Sequence, residues 1–556
     1  MRVEPVIREP RIPQASTPLV FQYQRSGIPI VWAPGTVNLQ ECRERLRQKK
    51  LHHPALSNDP NDPLNWSTLR KTLNFTLACL YVLFTFLATS AGGPAYNAYV
   101  RDLNLTFPIY TASNAANFAG LATGCILFVP FIHKYGRRPL YLLSLTVQLA
   151  MAIWSANMTT AHEMIPVNLI FGIGGSLSET IVQITITDLF FVHQRARMNG
   201  LYMLMQSTGV CLGPVAIGFV VDSQGWRWGW WWCAILIGAT LVLSIFAFEE
   251  SKYVPARGSR DATDEETSVF SPTSNAKPRA SASDAASSHS IAKDTWPRPK
   301  PYRQRLALVT PTPGSVTHHF YQPFVVLFTF PAVAYTALTY GSLISWVTAI
   351  STVQSSQMIF PPYNFSASEV GLLNIAPFIG VIIGTIVGAP ISDYSIVRLA
   401  SRNNGIYEPE MRLYLAIPGG LISFAGLIVF GVGLGQGLHW AVVAAGSGIF
   451  STGFVILADI ALSYLIDCYQ NVIADALVAV VFVRNGISMI IMFTLSPWLH
   501  GFGVQNTFIC MAFVALAISM LVIPLLLWGK DARIATAKSY EMFTKRQAVY
   551  RHIEGC

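Results

Sequence analysis

The sequence predicts an all-α membrane protein in which twelve transmembrane helices form two halves of six helices each. Hydrophobic residues make up 52% of the chain, whereas charged residues make up only 12%. Ordinary soluble domains carry roughly 25% charged residues, so much of this chain is expected to face lipid. Apolar stretches of the roughly 20 residues that cross a bilayer occur many times. A polar stretch, residues 249–323, separates two groups of these apolar stretches.

The predicted spans fall six before and six after the polar stretch. They lie near residues 72–92, 112–132, 140–158, 164–190, 199–221, 227–248, 324–350, 369–392, 413–434, 439–466, 475–500 and 506–528. The chain is therefore predicted to consist of an N-terminal segment (1–71), a first bundle (72–248), a linker (249–323), a second bundle (324–528) and a tail (529–556). Because the linker is rich in Ser, Pro and charged residues, it cannot bury much apolar surface, and we expect it to be disordered.

Positive charges cluster in segments that lie on one side of the predicted membrane. Lys134, Arg137 and Arg138 follow span two, and the linker and tail are also basic. Cytoplasmic loops carry an excess of Lys and Arg, so the linker and both termini are predicted to be cytoplasmic. We expect a multi-pass protein of the plasma membrane. Three sequons in predicted outer loops are candidate glycosylation sites, at Asn104, Asn157 and Asn364.

Several function classes are disfavoured by the composition. The net charge of +9 lies in connecting segments, which favours positive-inside loops over a nucleic-acid surface. Most of the eight cysteines fall in apolar stretches without paired spacing, so neither a disulfide framework nor a metal site is expected. The sequence contains no Gly-rich phosphate-binding loop ending in Lys and Ser or Thr, and no hydrolase constellation. We therefore expect neither a cofactor nor an enzyme.

Five motifs stand at particular topological positions. Gly136-Arg137-Arg138-Pro139 lies between spans two and three, and span five contains Gly209, Gly213, Pro214 and Gly218 in sequence. The second half carries Glu408-Pro409-Glu410, Asp467-Cys468-Tyr469 and Arg484-Asn485. In these features residues 59–535 resemble the major facilitator superfamily, and more narrowly the fungal twelve-span drug:proton antiporter family. The similarity extends to a branch that includes a polyamine and cation transporter and many secondary-metabolite transporters.

The resemblance implies a major facilitator fold and assigns roles to the motifs. Gly136, Arg137 and Arg138 would belong to a cytoplasmic gate, with Asp393 at the equivalent place in the second half. The span-five motif, Gly209, Gly213, Pro214 and Gly218, would mark an antiporter. Alternatively, the arginines only anchor a cytoplasmic loop, and the small residues only allow close helix packing. His133 and Asn168 stand where the family usually has a gate acid and a proton-relay arginine.

Ionisable residues inside the predicted spans are candidates for substrate or proton binding, because a charge in the membrane is costly. Glu179 in span four is the first candidate. Asp459 is a second, and Arg484 is expected to pair with Asp459 or Asp475. Asp188, nearer a helix end, is a gate candidate. Aromatic side chains that could line a cavity are Tyr202, Tyr335, Tyr340 and Trp346. Each of these residues could instead have a purely structural role.

The function predicted from these features is secondary active transport of a small organic molecule, with proton-coupled efflux of a metabolite or drug-like compound favoured. One alternative is uptake of a polyamine-like cation driven by protons or the membrane potential. Another is a receptor or scaffold on the same fold that transports nothing. We expect a monomer whose partners are a small-molecule substrate, protons and the lipid bilayer, and not nucleic acid.

Overall fold

Long helices form most of the chain in the computed structural model, which describes residues 21–23, 29–31, 33–38, 61–253, 301–310 and 318–546. The helices before the linker are α1 (Thr68–Ser90), α2 (Tyr96–Leu103), α3 (Phe107–Tyr135), α4 (Arg138–Ala156), α5 (Met164–Gly175), α6 (Ile181–Leu189), α7 (Val192–Gln224) and α8 (Trp226–Ala247).

The remaining helices are α9 (Tyr302–Arg305), α10 (His318–Thr329), α11 (Pro331–Gln357), α12 (Ala367–Leu372), α13 (Ile375–Arg402), α14 (Ala416–Gly435), α15 (Trp440–Cys468), α16 (Ile473–Ser519) and α17 (Val522–Arg546). Short 3₁₀ helices occur at Pro63–Asn65, Ala161–Glu163, Ser176–Glu179, Pro409–Leu415 and Gln470–Val472. In the described part of the chain, four short strands form two antiparallel pairs, β1 (Phe21–Tyr23) with β2 (Pro29–Val31) and β3 (Val37–Asn38) with β4 (Ile406–Tyr407). The predicted all-α fold class is confirmed.

Eleven helical stretches of the described chain are long and apolar enough to cross a membrane. Ten of them coincide with the first ten predicted spans, and the eleventh, Gln470–Thr544, contains both remaining predictions. Its 75 residues exceed one bilayer crossing several-fold, since a helix rises about 1.5 Å per residue. Predicted span seven differs most, because a separate helix, α10, precedes the apolar helix α11.

The chain reverses direction inside α16, at Gly503. This residue has φ +74° and ψ 167°, a conformation that glycine adopts without a steric penalty. Across the turn, the Thr507 hydroxyl donates to the Trp498 carbonyl oxygen at 3.2 Å. Residues nine positions apart in a continuous helix would be separated by about 13 Å along its axis. The two sides of Gly503 are therefore separate helices that match predicted spans eleven and twelve.

Small residues bring neighbouring helices into backbone contact. A Cβ atom added to Gly426 of α14 would lie 2.3 Å from the Phe450 nitrogen of α15, and one added to Gly446 would lie 2.5 Å from the Phe430 nitrogen. Helices in lipid gain little from burying apolar surface against each other, so such close packing contributes much of their association.

The span-five motif has this packing role in two places. Cβ atoms added to Gly209 and Gly213 would meet α1 at 2.6 and 3.0 Å. One added to Gly218 would lie 2.5 Å from the Ala367 carbonyl oxygen, at the start of α12 in the other half. One added to Gly371 would lie 2.5 Å from the Pro214 carbonyl oxygen. The motif therefore packs α7 against both halves.

Two described pieces of the linker, 249–253 and 301–310, pack against the first half, and we call them the linker clasp. The Glu250 carboxylate accepts hydrogen bonds from the backbone N–H groups of Arg137 (3.0 Å) and Arg138 (3.1 Å), at the start of α4. The Arg138 guanidinium in turn donates to the Leu306 carbonyl oxygen. The prediction of a wholly disordered linker is therefore wrong for the clasp. Residues 254–300 and 311–317 lie outside the described part of the chain.

The two pieces of the clasp also bind each other. The backbone N–H of Glu250 donates to the Arg305 carbonyl oxygen at 3.2 Å. The Lys252 ammonium donates to the carbonyl oxygens of Thr310 and Lys134, both at 2.7 Å. Because the clasp joins residues 253 and 301 to one site, the connection from the clasp to α10 is residues 311–317. Those seven residues span at most roughly 28 Å between Thr310 and His318. Throughout, "linker side" denotes the end of the bundle that carries the clasp, and "opposite side" the other end.

Residues 33–38 of the N-terminal segment pack against the linker side of the second half. Strand β3 pairs with β4, and the buried Arg533 guanidinium donates to the carbonyl oxygen of Pro34 while it binds Glu410 at 2.6 Å. A Cβ added to Gly35, whose φ is +85°, would lie 2.3 Å from the Asp467 carbonyl oxygen. Part of the predicted N-terminal segment (1–71) thus packs against the second half.

The clasp predicts that residues 254–300 can be shortened without loss of stability. Replacing them with a short Gly/Ser loop should leave the thermal unfolding midpoint of the purified protein unchanged, because both clasp pieces remain. Glu250→Ala should lower the midpoint, since backbone N–H groups at the start of α4 lose an acceptor worth about 1–2 kcal/mol. Equal destabilisation by both changes would contradict the clasp.

Candidate functional site

Span four is interrupted where it carries its acidic residue. Helix α5 ends at Gly175, a 3₁₀ turn covers Ser176–Glu179, and α6 begins at Ile181. The local sequence Gly174-Gly175-Ser176-Leu177-Ser178 is poor in strong helix formers, which favours such a break. Broken helices at membrane depth are tolerated where they are buried in protein or line a cavity. The turn places the Glu179 side chain, which is 6% exposed, inside the bundle.

Glu179 forms an ion pair with Arg484, a residue of the other half. One guanidinium nitrogen of Arg484 binds Oε1 of Glu179, and Asn485 Nδ2 donates to Oε2 at 3.0 Å. Arg484 also donates to Oδ1 of Asn485 at 3.2 Å. Its guanidinium carbon lies 5.3 Å from the centroid of the Tyr340 ring, within cation–π range. Glu179, Arg484 and Asn485 thus contact one another and join span four to span eleven.

The pair lies at the wall of a small cavity between the halves. Its lining combines two charged, two amide, two tyrosine and several apolar side chains: Glu179, Gln183, Tyr202, Met203, Gln206, Tyr340, Leu462, Leu477, Val480, Val481 and Arg484. Its volume is about 20 Å³, which is room for roughly one water molecule. In this conformation the site is closed around the ion pair, so entry of an organic solute requires the halves to separate there.

Burial makes this pair sensitive to the loss of either partner. Arg484 is 4% exposed and Glu179 is 6% exposed, so neither charge can be solvated in place. Forming a buried pair gains little net free energy, because both charges are desolvated. Removing one partner, however, leaves a buried unpaired charge and typically costs about 3–5 kcal/mol. Any movement that separates the halves here must supply a substitute for the lost partner.

The structure corrects the predicted partner of Arg484. The sequence pointed to Asp459 or Asp475, which are closer along the chain, but the ion pair is made with Glu179, about 300 positions away. Asp475 lies instead 3.9 Å from His319 Nδ1. Asp459 does not line the cavity, and its charged neighbours are Arg412 and Asp393. Packing of span eleven against the first half decides the pairing, and distance along the sequence carries no information about it.

The aromatic candidates divide into two groups. Tyr340 and Tyr202 line the cavity beside the ion pair. Tyr335 and Trp346 do not line it; they are 6% and 1% exposed and lie in hydrophobic cores of the second half. Of the four aromatic candidates, the structure therefore places Tyr202 and Tyr340, but not Tyr335 and Trp346, at this cavity. Tyr335 and Trp346 lie five and six positions from Tyr340, spacings that point to other faces of a helix. An apolar helix gives little periodic signal to tell its faces apart.

The residues of the span two–three motif form a second network on the linker side. Arg137 Nε binds an Asp188 oxygen at 2.9 Å, and the Arg138 guanidinium donates to the Ile245 carbonyl oxygen at 2.6 Å. Both arginines are about 5% exposed. Such burial and specific pairing show that the two arginines do more than anchor an exposed loop, and their role in a gate stays a prediction. Gly136 has φ +112°, which an L-residue rarely adopts, so this position favours glycine.

The span two–three motif lacks the acid that the resembling family usually has, because His133 stands at that position. In the structure, Glu250 supplies a carboxylate to the same turn. Its neighbour Lys252 lies beside Arg137, and burial together with that positive charge lowers the pKa of Lys252 to about 8. Sequence reasoning missed Glu250, although its position directly after span six was a usable signal. Asp393, the proposed counterpart in the second half, is exposed.

The other departure from the family pattern, Asn168, has a local structural contact. Its side-chain amide donates to the Ser113 hydroxyl at 2.6 Å, which joins α5 to α3 within the first half. The sequon residues Asn104, Asn157 and Asn364 are exposed and flank helix ends. Their glycosylation stays a prediction. The described residues contain no group of three His, Cys, Asp or Glu side chains that could hold a metal ion.

Comparisons with known proteins agree with this architecture. The family model described as Major Facilitator Superfamily matches residues 78–474. The chain is 30% identical over 521 residues to the Schizosaccharomyces pombe protein named Uncharacterized MFS-type transporter C1271.10c, covering 88% of this chain and 89% of that one. It is 25% identical to an Aspergillus flavus protein named Probable efflux pump mfs2, covering 80% and 99% of the two chains.

Solved structures resemble the chain in fold. A proton:xylose symporter, XylE, superposes with a TM-score of 0.54 and 12% identity, covering 83% of this chain and 97% of that one.

The ion pair predicts strong coupling between two substitutions. Glu179→Gln and Arg484→Met should each destabilise the purified protein, whereas the double variant should be destabilised by less than the sum of the two. The free energies of unfolding of the wild type, the two single variants and the double variant give the coupling free energy. We expect it to exceed about 1 kcal/mol. The exposed pair Lys530–Glu408 provides the matched control, with coupling near zero. Additive effects at Glu179 and Arg484 would contradict the pairing.

Proposed function

Because the chain belongs to the Major Facilitator Superfamily and is a transporter of small molecules, we propose that it is a proton-coupled secondary carrier that exports an organic solute. Two six-helix halves move alternately around a site at mid-membrane depth. The observation on which this proposal depends is the Glu179–Arg484 ion pair, which joins the two halves beside the closed cavity. The proposed cycle alternates between this paired state and one in which each charge has another partner.

The chemistry of the pair supports proton coupling. When the halves separate, Arg484 keeps neighbours in its own half, Asn485 and Tyr340. Glu179 keeps no cation, so a proton or a cationic group of the solute can neutralise it. If one carboxylate binds either a proton or the solute, the two compete, and such competition couples their movements. A charge that crosses the membrane can contribute about 2.3 kcal/mol per 100 mV.

Export is the direction that we favour. The span-five motif of Gly209, Gly213, Pro214 and Gly218 packs in the arrangement described above, and in the resembling family it accompanies exchange-driven export. The relative from Aspergillus flavus also carries the name of an efflux pump. Both features support export without fixing the solute.

Uptake of a polyamine-like cation is a second candidate, and the lining of the cavity favours it. The Glu179 carboxylate, the rings of Tyr202 and Tyr340 and the amide oxygens of Gln183 and Gln206 are all groups that attract cations. Arg484 opposes this role as long as it remains at the same cavity. A cation would therefore have to replace Arg484 at Glu179.

We also propose how the bundle is oriented in the membrane. Both termini and the linker side lie in the cytoplasm, and the opposite side, with Asn104, Asn157 and Asn364, faces outward across the plasma membrane. The carrier acts as a monomer, because the paired halves alone enclose the cavity.

The test compares small molecules inside and outside cells that lack the gene with those of cells complemented by wild-type protein or Glu179→Gln. If the protein exports its solute, the deletion strain should contain more of one compound inside the cells, and less of it in the medium, than the complemented strain. If the protein takes up its solute, the deletion strain should leave more of one compound in the medium than the complemented strain does. Glu179→Gln should behave like the deletion at normal membrane abundance, and a protonophore should abolish the wild-type difference. Identical profiles in all strains would instead favour a receptor or scaffold.

A further inference from the structure

Asp222 joins the two halves at the opposite side of the bundle. It lies near the C-terminal end of α7, and its carboxylate accepts hydrogen bonds from the backbone N–H groups of Ala367 (3.2 Å) and Ser368 (2.8 Å). Those residues form the first turn of span eight, Ala367–Arg402, in the other half. We propose that Asp222 is a positioning residue that holds the opposite side closed.

The hydrogen bonds of this turn explain why a carboxylate from the other half fits there. The first N–H groups of a helix have no acceptor within the helix. Ser366 and Glu369 form a capping box in which each side chain accepts from the other's backbone N–H. That box leaves the N–H groups of Ala367 and Ser368, which are the two that Asp222 binds. A negative charge is also favoured near the positive end of the helix dipole.

Close backbone contacts surround the hydrogen bonds between Asp222 and the start of span eight. Gly218, one helical turn before Asp222, lies so near the Ala367 carbonyl oxygen that an added Cβ would clash with it. Gly371 lies equally near the Pro214 carbonyl oxygen. Farther along the interface between the halves, the Asn114 amide donates to the Thr352 hydroxyl at 3.2 Å. Asp222 therefore adds a charged, directional contact to helices that already touch. Opening of this side requires those two hydrogen bonds to break.

The role of Asp222 rests on the proposed movement of the halves, but it requires neither proton coupling nor a particular direction of transport. Loss of a helix-capping carboxylate typically changes an equilibrium roughly tenfold. The contact exists in the closed conformation described here and cannot persist when α7 and span eight separate. Asp222→Asn should therefore increase the population that is open on the opposite side by roughly tenfold.

The experiment measures the opening itself, with a cysteine placed at Ser355. This side chain is 4% exposed and lies next to Gly93 of the other half. The purified Ser355→Cys protein is treated with a water-soluble maleimide, and the protein without the added cysteine gives the background rate. Asp222→Asn should raise the labelling rate of Cys at position 355 by roughly tenfold, and Asp222→Ala should do the same. Asp222→Glu, which keeps the charge, should restore most of the protection.

Asp102→Asn is the matched control, because Asp102 lies on the same side but binds Trp226 within its own half. It should leave the labelling rate unchanged. An unchanged rate in the Asp222 variants, or an equal increase in the Asp102 variant, would overturn the assignment. Gel filtration distinguishes opening from unfolding, which would expose the reporter in an aggregated protein. Since the assay involves no solute or pH gradient, its failure would leave the proton-coupled export proposal separately testable.

Discussion

The ion pair between Glu179 and Arg484 connects the local sequence, the contact of the halves and the proposed transport. A broken helix holds the carboxylate, span eleven supplies the guanidinium, and Asn485 binds both. Because a buried unpaired charge is far costlier than a buried pair, the two halves are held together at this point until another partner replaces one charge. The small cavity beside the pair is where a proton or solute would do so.

Contacts on the two sides of the bundle complement this central pair. On the linker side, Glu250 and Lys252 fix the turn that carries Arg137, and the connection to the second half is short. On the opposite side, Asp222 binds the start of span eight. The charged contacts therefore differ in kind. The clasp stabilises one half internally, whereas the pair and Asp222 join one half to the other and must change when the halves move.

The fold was predictable from the sequence because membrane spans require long apolar stretches, and the twelve predicted stretches correspond to helices. Glu179 was also predictable, since an intramembrane acid is costly. Its partner was not, because a pairing across 305 positions depends on how whole bundles pack. Glu250 and Asp222 lie near helix ends, where charged residues are common. Composition therefore did not distinguish Asp222, and only the position directly after span six was a signal for Glu250. The sequence could not separate Trp346 and Tyr335 from the two tyrosines that line the cavity, because apolar helices show little facial periodicity.

The most direct test of the central pair is a distance measurement between the halves on the linker side. Spin labels at Arg197→Cys and Ser401→Cys, both exposed positions, report that distance by pulsed electron paramagnetic resonance. The labelled wild-type protein should show mainly the distance of the conformation described here, in which the pair is formed. Adding Glu179→Gln should shift the distribution to longer distances, because the carboxylate no longer holds Arg484. An unchanged distribution in a folded Glu179→Gln protein would contradict the account.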